Sequence, residues 1–215
     1  MAQDENRRQK ALMKKRIKDK RRKNRSHKTT FNPLGFADYY YKNSLIKRAR
    51  DFPIFECLIN PQWQELGLAR ILISRRQPNG KFIIGVFLVD IFCRGLKNTF
   101  CNADISLEDY ESSLKTRIYQ DTVPANCHPR LAHRIIYGAI EYARNLGFEP
   151  QKDFALSRFV LDEPSKADFS FDVEFGRDGK PFFIAGPDDD VDYIIGKLSK
   201  RFGEGNFNFL YPLEL

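Results

Sequence analysis

The stretch Phe82–Cys93 constrains this chain more than any other. Side chains on a strand alternate between its two faces. On that period Ile84, Val86, Leu88 and Phe92 share one side, and Ile83, Phe87, Val89, Ile91 and Cys93 share the other. A strand that is apolar on both faces belongs inside a sheet covered on both sides. Just before it, Gln77-Pro78-Asn79-Gly80 carries the Asn-Gly pair, which accepts the positive φ angles of a tight hairpin turn. Leu68–Arg75 and Lys81–Cys93 are therefore predicted to pair as a hairpin. Ile54–Ile59 reads as a strand ahead of it and Leu96–Cys101 as one after it.

Helical periods surround these strands. One helix is expected over Ala37–Arg50, stopped by Pro53, and Asn60-Pro61 reads as the start of a short turn that ends at Gly67. Ser106 with Asp109 resembles a capping box, with Leu107, Tyr110, Leu114 and Ile118 following on one face. From Pro129, the residues Leu131, Ile135, Ala139, Tyr142 and Leu146 form an apolar stripe that Gly147 closes. A last helix opens at Asp188-Asp189-Asp190, buries Val191, Ile194, Ile195, Leu198 and Phe202, and stops at Gly203. Arg158–Leu161 reads as a further strand. A second hairpin is expected from Phe169–Phe175 and Pro181–Ala185 around Arg177-Asp178-Gly179. Together these imply an α+β fold: a mainly antiparallel sheet with two hairpins and about four helices.

Charge divides the chain in two. Residues 1–30 hold thirteen bases, Arg7, Arg8, Lys10, Lys14, Lys15, Arg16, Lys18, Lys20, Arg21, Arg22, Lys23, Arg25 and Lys28, against Asp4, Glu5 and Asp19, a net of +10. The other 185 residues carry 23 bases and 25 acids. With only Ala11, Leu12, Met13 and Ile17 to bury, the arm cannot offset the roughly 1–2 kcal/mol of backbone entropy lost per ordered residue. It is expected to be disordered, or helical only once a polyanion neutralises it. Residues 31–215 form one domain, and their share in the 42% hydrophobic content excludes global disorder. A solubilising tail, a localisation signal and a lipid anchor compete with nucleic acid as readings of the arm. Ala2 after the initiator Met argues against myristoylation. No helix-turn-helix, zinc-finger or RRM pattern favours DNA or a standard RNA module, so RNA is preferred over DNA as the partner. No apolar run reaches the roughly 18 residues of a membrane span, and no signal stretch is evident. No membrane contact and a cytoplasmic location are the expectation.

Asp90 is the one acid in the apolar strand. A buried carboxylate must be paired, protonated or bound to a cation. Arg94, Lys97 and Arg70 are candidate partners. Alternatively Asp90 is a metal-binding acid of a nuclease, with Glu141, Asp162 and Asp172 as further carboxylates, or it sits at the strand end. Cys93, Cys101, Cys127, His128 and His133 lack the close pairs of a zinc site, so reduced thiols without metal or cofactor are expected. His133, Tyr137 and Glu141 stand at four-residue steps and either line a groove or form a solvated face. Gly176–Pro181 lacks the ending of a phosphate loop and reads as a turn.

The stretches Glu56–Asn60, Gly85–Asp90 with Cys93–Lys97, Glu141–Ala143 through Gly147-Phe148, and Phe175–Phe182 resemble a group of uncharacterised bacterial proteins, in patches over about residues 52–190. The resemblance implies a bacterial cytoplasmic origin and carries over no activity. The leading expectation is a nonenzymatic RNA-binding or ribosome-associated protein that uses its basic arm, with Tyr39–Tyr41 available for stacking. The alternatives are a metal-dependent nucleic-acid-processing enzyme built on Asp90 and a protein-interaction adaptor. Oligomeric state is not legible.

Overall fold

The computed structural model describes residues 33–165, 170–186 and 189–211. Its centre is the hairpin set by Asn79-Gly80: β2 (Leu68–Arg76) and β3 (Phe82–Asp90) pair without interruption from Leu68 opposite Asp90 to Arg76 opposite Phe82. β4 (Gly95–Ile105) continues the meander beyond β3, and β1 (Ile54–Ile59) lies on the far side of β2. The two-residue β5 (Ala125–Asn126) borders β1, so the order is β4-β3-β2-β1-β5 with every pair antiparallel. The α+β class and the antiparallel sheet agree with the sequence reading.

Both faces of β3 are covered, one throughout at Ile83, Phe87 and Val89, the other fully at Phe82 and Ile84 with Val86 and Leu88 half-buried. On one face a helical segment, π-type over Asp109–Leu114 and α-helical (α3) over Lys115–Ile118, packs Tyr110, Leu114 and Tyr119 on Leu58, Leu72, Phe82 and Ile84. Ser106 opens it as expected, its hydroxyl accepting from the Asp109 N–H at 3.0 Å. Tyr110 stacks on Phe82 and hydrogen-bonds the Glu56 carboxylate (2.7 Å) and the Ser74 hydroxyl (2.9 Å), so its buried oxygen is satisfied. On the other face α4 (Pro129–Asn145) sets Ile135, Ile136, Ala139 and Ile140 against Ile71, Ile73, Ile83, Phe87 and Val89. A smaller core joins the end of α4 to α6 (Val191–Phe202) and to the parallel pair β6 (Phe182–Ile184) and β7 (Asn208–Leu210).

Several expectations are corrected. The first helix, α1, runs Pro33–Lys47 and gives way to a 3-10 turn over Ala49–Asp51. Asn60 caps no helix: its amide donates to the Leu68 carbonyl (3.0 Å) and its Oδ1 accepts from the Arg70 N–H (2.7 Å), locking β1 to β2 across the one-turn α2 (Trp63–Leu66). Arg158–Val160 is a 3-10 turn after the one-turn α5 (Phe154–Ser157), not a strand. A run this short has no period that separates strand from helix, and the Ser157 hydroxyl is held by Thr99 at 2.9 Å. Among the described residues, which leave out Phe169, the second hairpin is only its turn, in which Arg177 and Lys180 exchange backbone hydrogen bonds. Pro181 has no N–H to extend the pairing, and Phe182–Ile184 pairs in parallel with Asn208–Leu210 instead. Among the described residues six α-helical segments stand where about four were expected, because α2 and α5 are single turns. None of the described helices is long and apolar enough to cross a membrane.

Gly95 shows how closely the layers approach. It has φ +65°, and a Cβ there would lie 2.6 Å from the Ala143 Cβ and 2.7 Å from the Ala139 carbonyl oxygen on α4. Gly95→Ala is expected to combine left-handed strain with overpacking and cost about 2–4 kcal/mol in urea unfolding. An unchanged midpoint would mean that α4 does not sit this close to β4.

Candidate functional site

β3 ends in Asp90, and the reversal Ile91–Arg94 that follows is organised by that carboxylate. Oδ1 accepts from the N–H groups of Phe92 (2.9 Å) and Cys93 (3.0 Å), and Oδ2 from that of Arg94 (3.1 Å). Burial pushes the Asp90 pKa up, opposed by these amides and by the nearby Lys97 charge. The bases expected to pair with it go elsewhere. Arg94 and Lys97 both bind Asp189, at 2.5 and 2.8 Å, and Arg70 binds Asp121 at 3.5 Å. Asp189 also accepts from the Gly186 N–H at 2.9 Å. Burial pushes its pKa up, but Lys97, the Gly186 amide and Arg94 outweigh it and hold the carboxyl below the ordinary range. The sequence marks Asp189 only as one of three acids at a helix start. Nothing local announces a partner more than ninety residues away.

The other candidate acids have separate surroundings. Asp162 pairs with Arg75, whose buried guanidinium also donates to the Val160 and Phe52 carbonyls, both at 2.7 Å. Glu141 is exposed on α4 and Asp172 is exposed in the chain before β6. Among the described residues no group of three His, Cys, Asp or Glu is placed to hold a metal ion. Burial pushes the Cys93 thiol up, and the Cys101 thiol up to about 11, so neither is a ready nucleophile. His133 is buried with its ring edge-on to Tyr137, and with Glu141 it borders a cavity of only about 50 Å³.

A larger groove of about 550 Å³ lies between α4 and the 150–164 segment. Its walls carry Arg50, Arg144, Lys152 and Arg158, with Glu163 the one acid among the described lining residues. Tyr137, Phe154 and Phe159 supply aromatic surface: Tyr137 meets Phe154 edge-on, and the guanidinium groups of Arg50 (5.6 Å) and Arg158 (5.2 Å) both stand over the Phe159 ring. Arg50 is fixed by the Leu161 carbonyl at 2.7 Å and by Glu163. Arg144 meets Glu149 at 3.3 Å on the surface. Among the described residues Lys152 and Arg158 pair with no carboxylate. Cationic walls over aromatic rings suit a nucleotide, whose phosphate takes the charge and whose base takes the ring. This groove was missed because Arg50 read as helix surface and Arg158 as strand. Only the 3-10 turns at Ala49–Asp51 and Arg158–Val160 bring them together.

Tyr39, Tyr40 and Tyr41 are all exposed on α1. The thirteen arm bases lie outside the described residues. No known protein family, curated protein or solved structure matches the chain.

Two outcomes follow from the Asp90 and Asp189 contacts. Asp90→Asn keeps Oδ1 but turns an amide N–H₂ toward the Arg94 N–H, so it is expected to cost about 1–3 kcal/mol in chemical denaturation. A variant as stable as the parent would show that the turn does not depend on this carboxylate. Asp189 titrates lower in the folded chain than the roughly 3.9 of a free Asp. Its contribution is therefore complete above that value and lost as pH falls through the lower folded value. The stability gap between the parent and Asp189→Asn should stay level from about pH 7 to 5 and narrow below about pH 4. A gap independent of pH would overturn the assignment.

Proposed function

We propose that this protein is a nonenzymatic RNA-binding or ribosome-associated protein of the bacterial cytoplasm. The observation that carries the proposal is the segregation of charge: +10 within 30 residues, joined to a remainder that is slightly acidic. Such an arm neutralises phosphates and releases their counterions, which gives affinity with little sequence preference. The groove of Arg50, Arg144, Lys152 and Arg158 supports the same reading from the folded side. Its aromatic rings favour unstacked bases, and these are common in RNA loops. Neither feature requires a chemical step.

Fluorescence anisotropy with a single-stranded RNA of mixed sequence tests the proposal. The full chain is expected to bind with a log–log salt slope of about −4 to −6, from six to eight phosphates. Deleting residues 1–30 should abolish binding and leave the thermal midpoint nearly unchanged. Lys152→Glu with Arg158→Glu should weaken binding by roughly tenfold, since one decade is about 1.4 kcal/mol. An affinity that survives the deletion, or a slope near zero, would refute the arm as the carrier. Specific capture of an acidic protein with no RNA affinity would favour the adaptor reading.

A further inference from the structure

Cys57 in β1 and Cys127, the residue after β5, face each other across the sheet edge. The register Leu58–Asn126 and Ile59–Ala125 extends to this pair, and the Cys127 N–H donates to the Cys57 carbonyl at 2.8 Å. Opposed residues on antiparallel neighbours point to one face with Cα atoms about 5.5 Å apart. That lies inside the roughly 4.4–6.8 Å range bridged by a disulfide. Both side chains sit in the same core beside Ile59, Ile73 and Ala132.

The two sulfurs are not equivalent. The neighbouring Cys127 sulfur and burial both push the Cys57 pKa up, and the Cys127 thiol, while protonated, reaches the His128 carbonyl at 3.5 Å. The Cys57 thiol beside it draws Cys127 below the ordinary thiol value, against burial. Cys127 stands directly before His128, the N-cap of α4, whose Nδ1 accepts from the Arg130 N–H at 3.2 Å. The amide end of a helix favours a thiolate there. One sulfur is thus set up to attack and its neighbour to resolve.

We propose that Cys57 and Cys127 are a reversible dithiol–disulfide site that reacts with low-molecular-weight disulfides. The Cys127 thiolate attacks one sulfur of the small disulfide, whose S–S bond breaks and releases one thiolate. Cys57 gives its proton to that thiolate and attacks the Cys127 sulfur of the mixed disulfide, expelling the second thiolate, which takes up the proton Cys127 lost to solvent. Two protein thiols are oxidised and one small disulfide is reduced to two thiols. Access comes from the sheet edge: β5 is two residues long and pairs only with β1. Such an edge opens locally at low cost. The bond closes a loop that contains β2, β3 and β4, and it ties the start of α4 to β1.

The test equilibrates the full chain in buffers running from reduced to oxidised glutathione, blocks free thiols under denaturant, and maps the products by mass spectrometry. As the buffer becomes oxidising, alkylatable thiols should fall from four per chain to two, with Cys57 and Cys127 joined and Cys93 and Cys101 still free. The thermal midpoint should rise by several degrees, since the cross-link restricts the unfolded chain. Cys57→Ser should stop at one glutathionyl group on Cys127 and show no such rise. Four thiols throughout the series, a Cys93–Cys101 link, or stable glutathionylation of the parent chain without closure would each overturn the proposal. The parent-chain measurement stands even if the Ser variant does not fold.

Discussion

Burying β3 on both faces forces the chain to supply two covering layers, and most of the architecture answers to that demand. Each large apolar side chain taken fully out of water contributes about 1.5–3 kcal/mol, and β3 has them on both sides at Phe82, Ile83, Ile84, Phe87 and Val89. The layer over one face comes from the segment beginning at Ser106, the layer over the other from α4. A polar atom carried into either layer needs a partner. Tyr110 finds Glu56 and Ser74, and Thr99 donates to the Val86 carbonyl at 2.9 Å. The close seat of α4 in turn leaves room for no side chain at residue 95.

Where β3 ends, the same dryness makes charge expensive, and the chain resolves it in two separate ways. Asp90 is satisfied by backbone amides of its own turn, a local solution that shapes the reversal into β4. Arg94 and Lys97, brought to one place by that reversal, require an external carboxylate, and Asp189 ahead of α6 provides it. Ion pairs of this kind add little net stability over apolar packing, but removing one partner leaves the other charge buried. Their effect is therefore positional: they fix the segment before α6 against the β3–β4 turn.

The same distinction between local and distant partners explains what was legible in the sequence. β1 to β4 were readable because a period of two and an Asn-Gly turn are local signals, and α4 and α6 because their apolar stripes and Gly stops are local too. Phe182–Ile184 was assigned to a hairpin because its true partner, Asn208–Leu210, lies more than twenty residues on and pairs in parallel. Asp90 was correctly marked as buried and needing partners, yet the partners proposed were bases, when a carboxylate at a strand end is within reach of the amides just beyond it. The facing of Cys57 and Cys127 depends on a two-residue strand that no periodicity reveals.

On the proposed RNA-binding reading, arm and groove divide the work by chemistry. Arg50 is engaged by Glu163 and Arg144 meets Glu149, so among the described residues Lys152 and Arg158 are the groove bases with no carboxylate competing for phosphate. Two such contacts alone make a weak and mildly salt-sensitive site. The thirteen bases of the arm then account for most of the affinity and most of its salt dependence. An arm of this composition does not choose among sequences, because phosphates are alike. Discrimination falls to the aromatic rings of Tyr137, Phe154 and Phe159, which distinguish a base that has left its stack from one that has not.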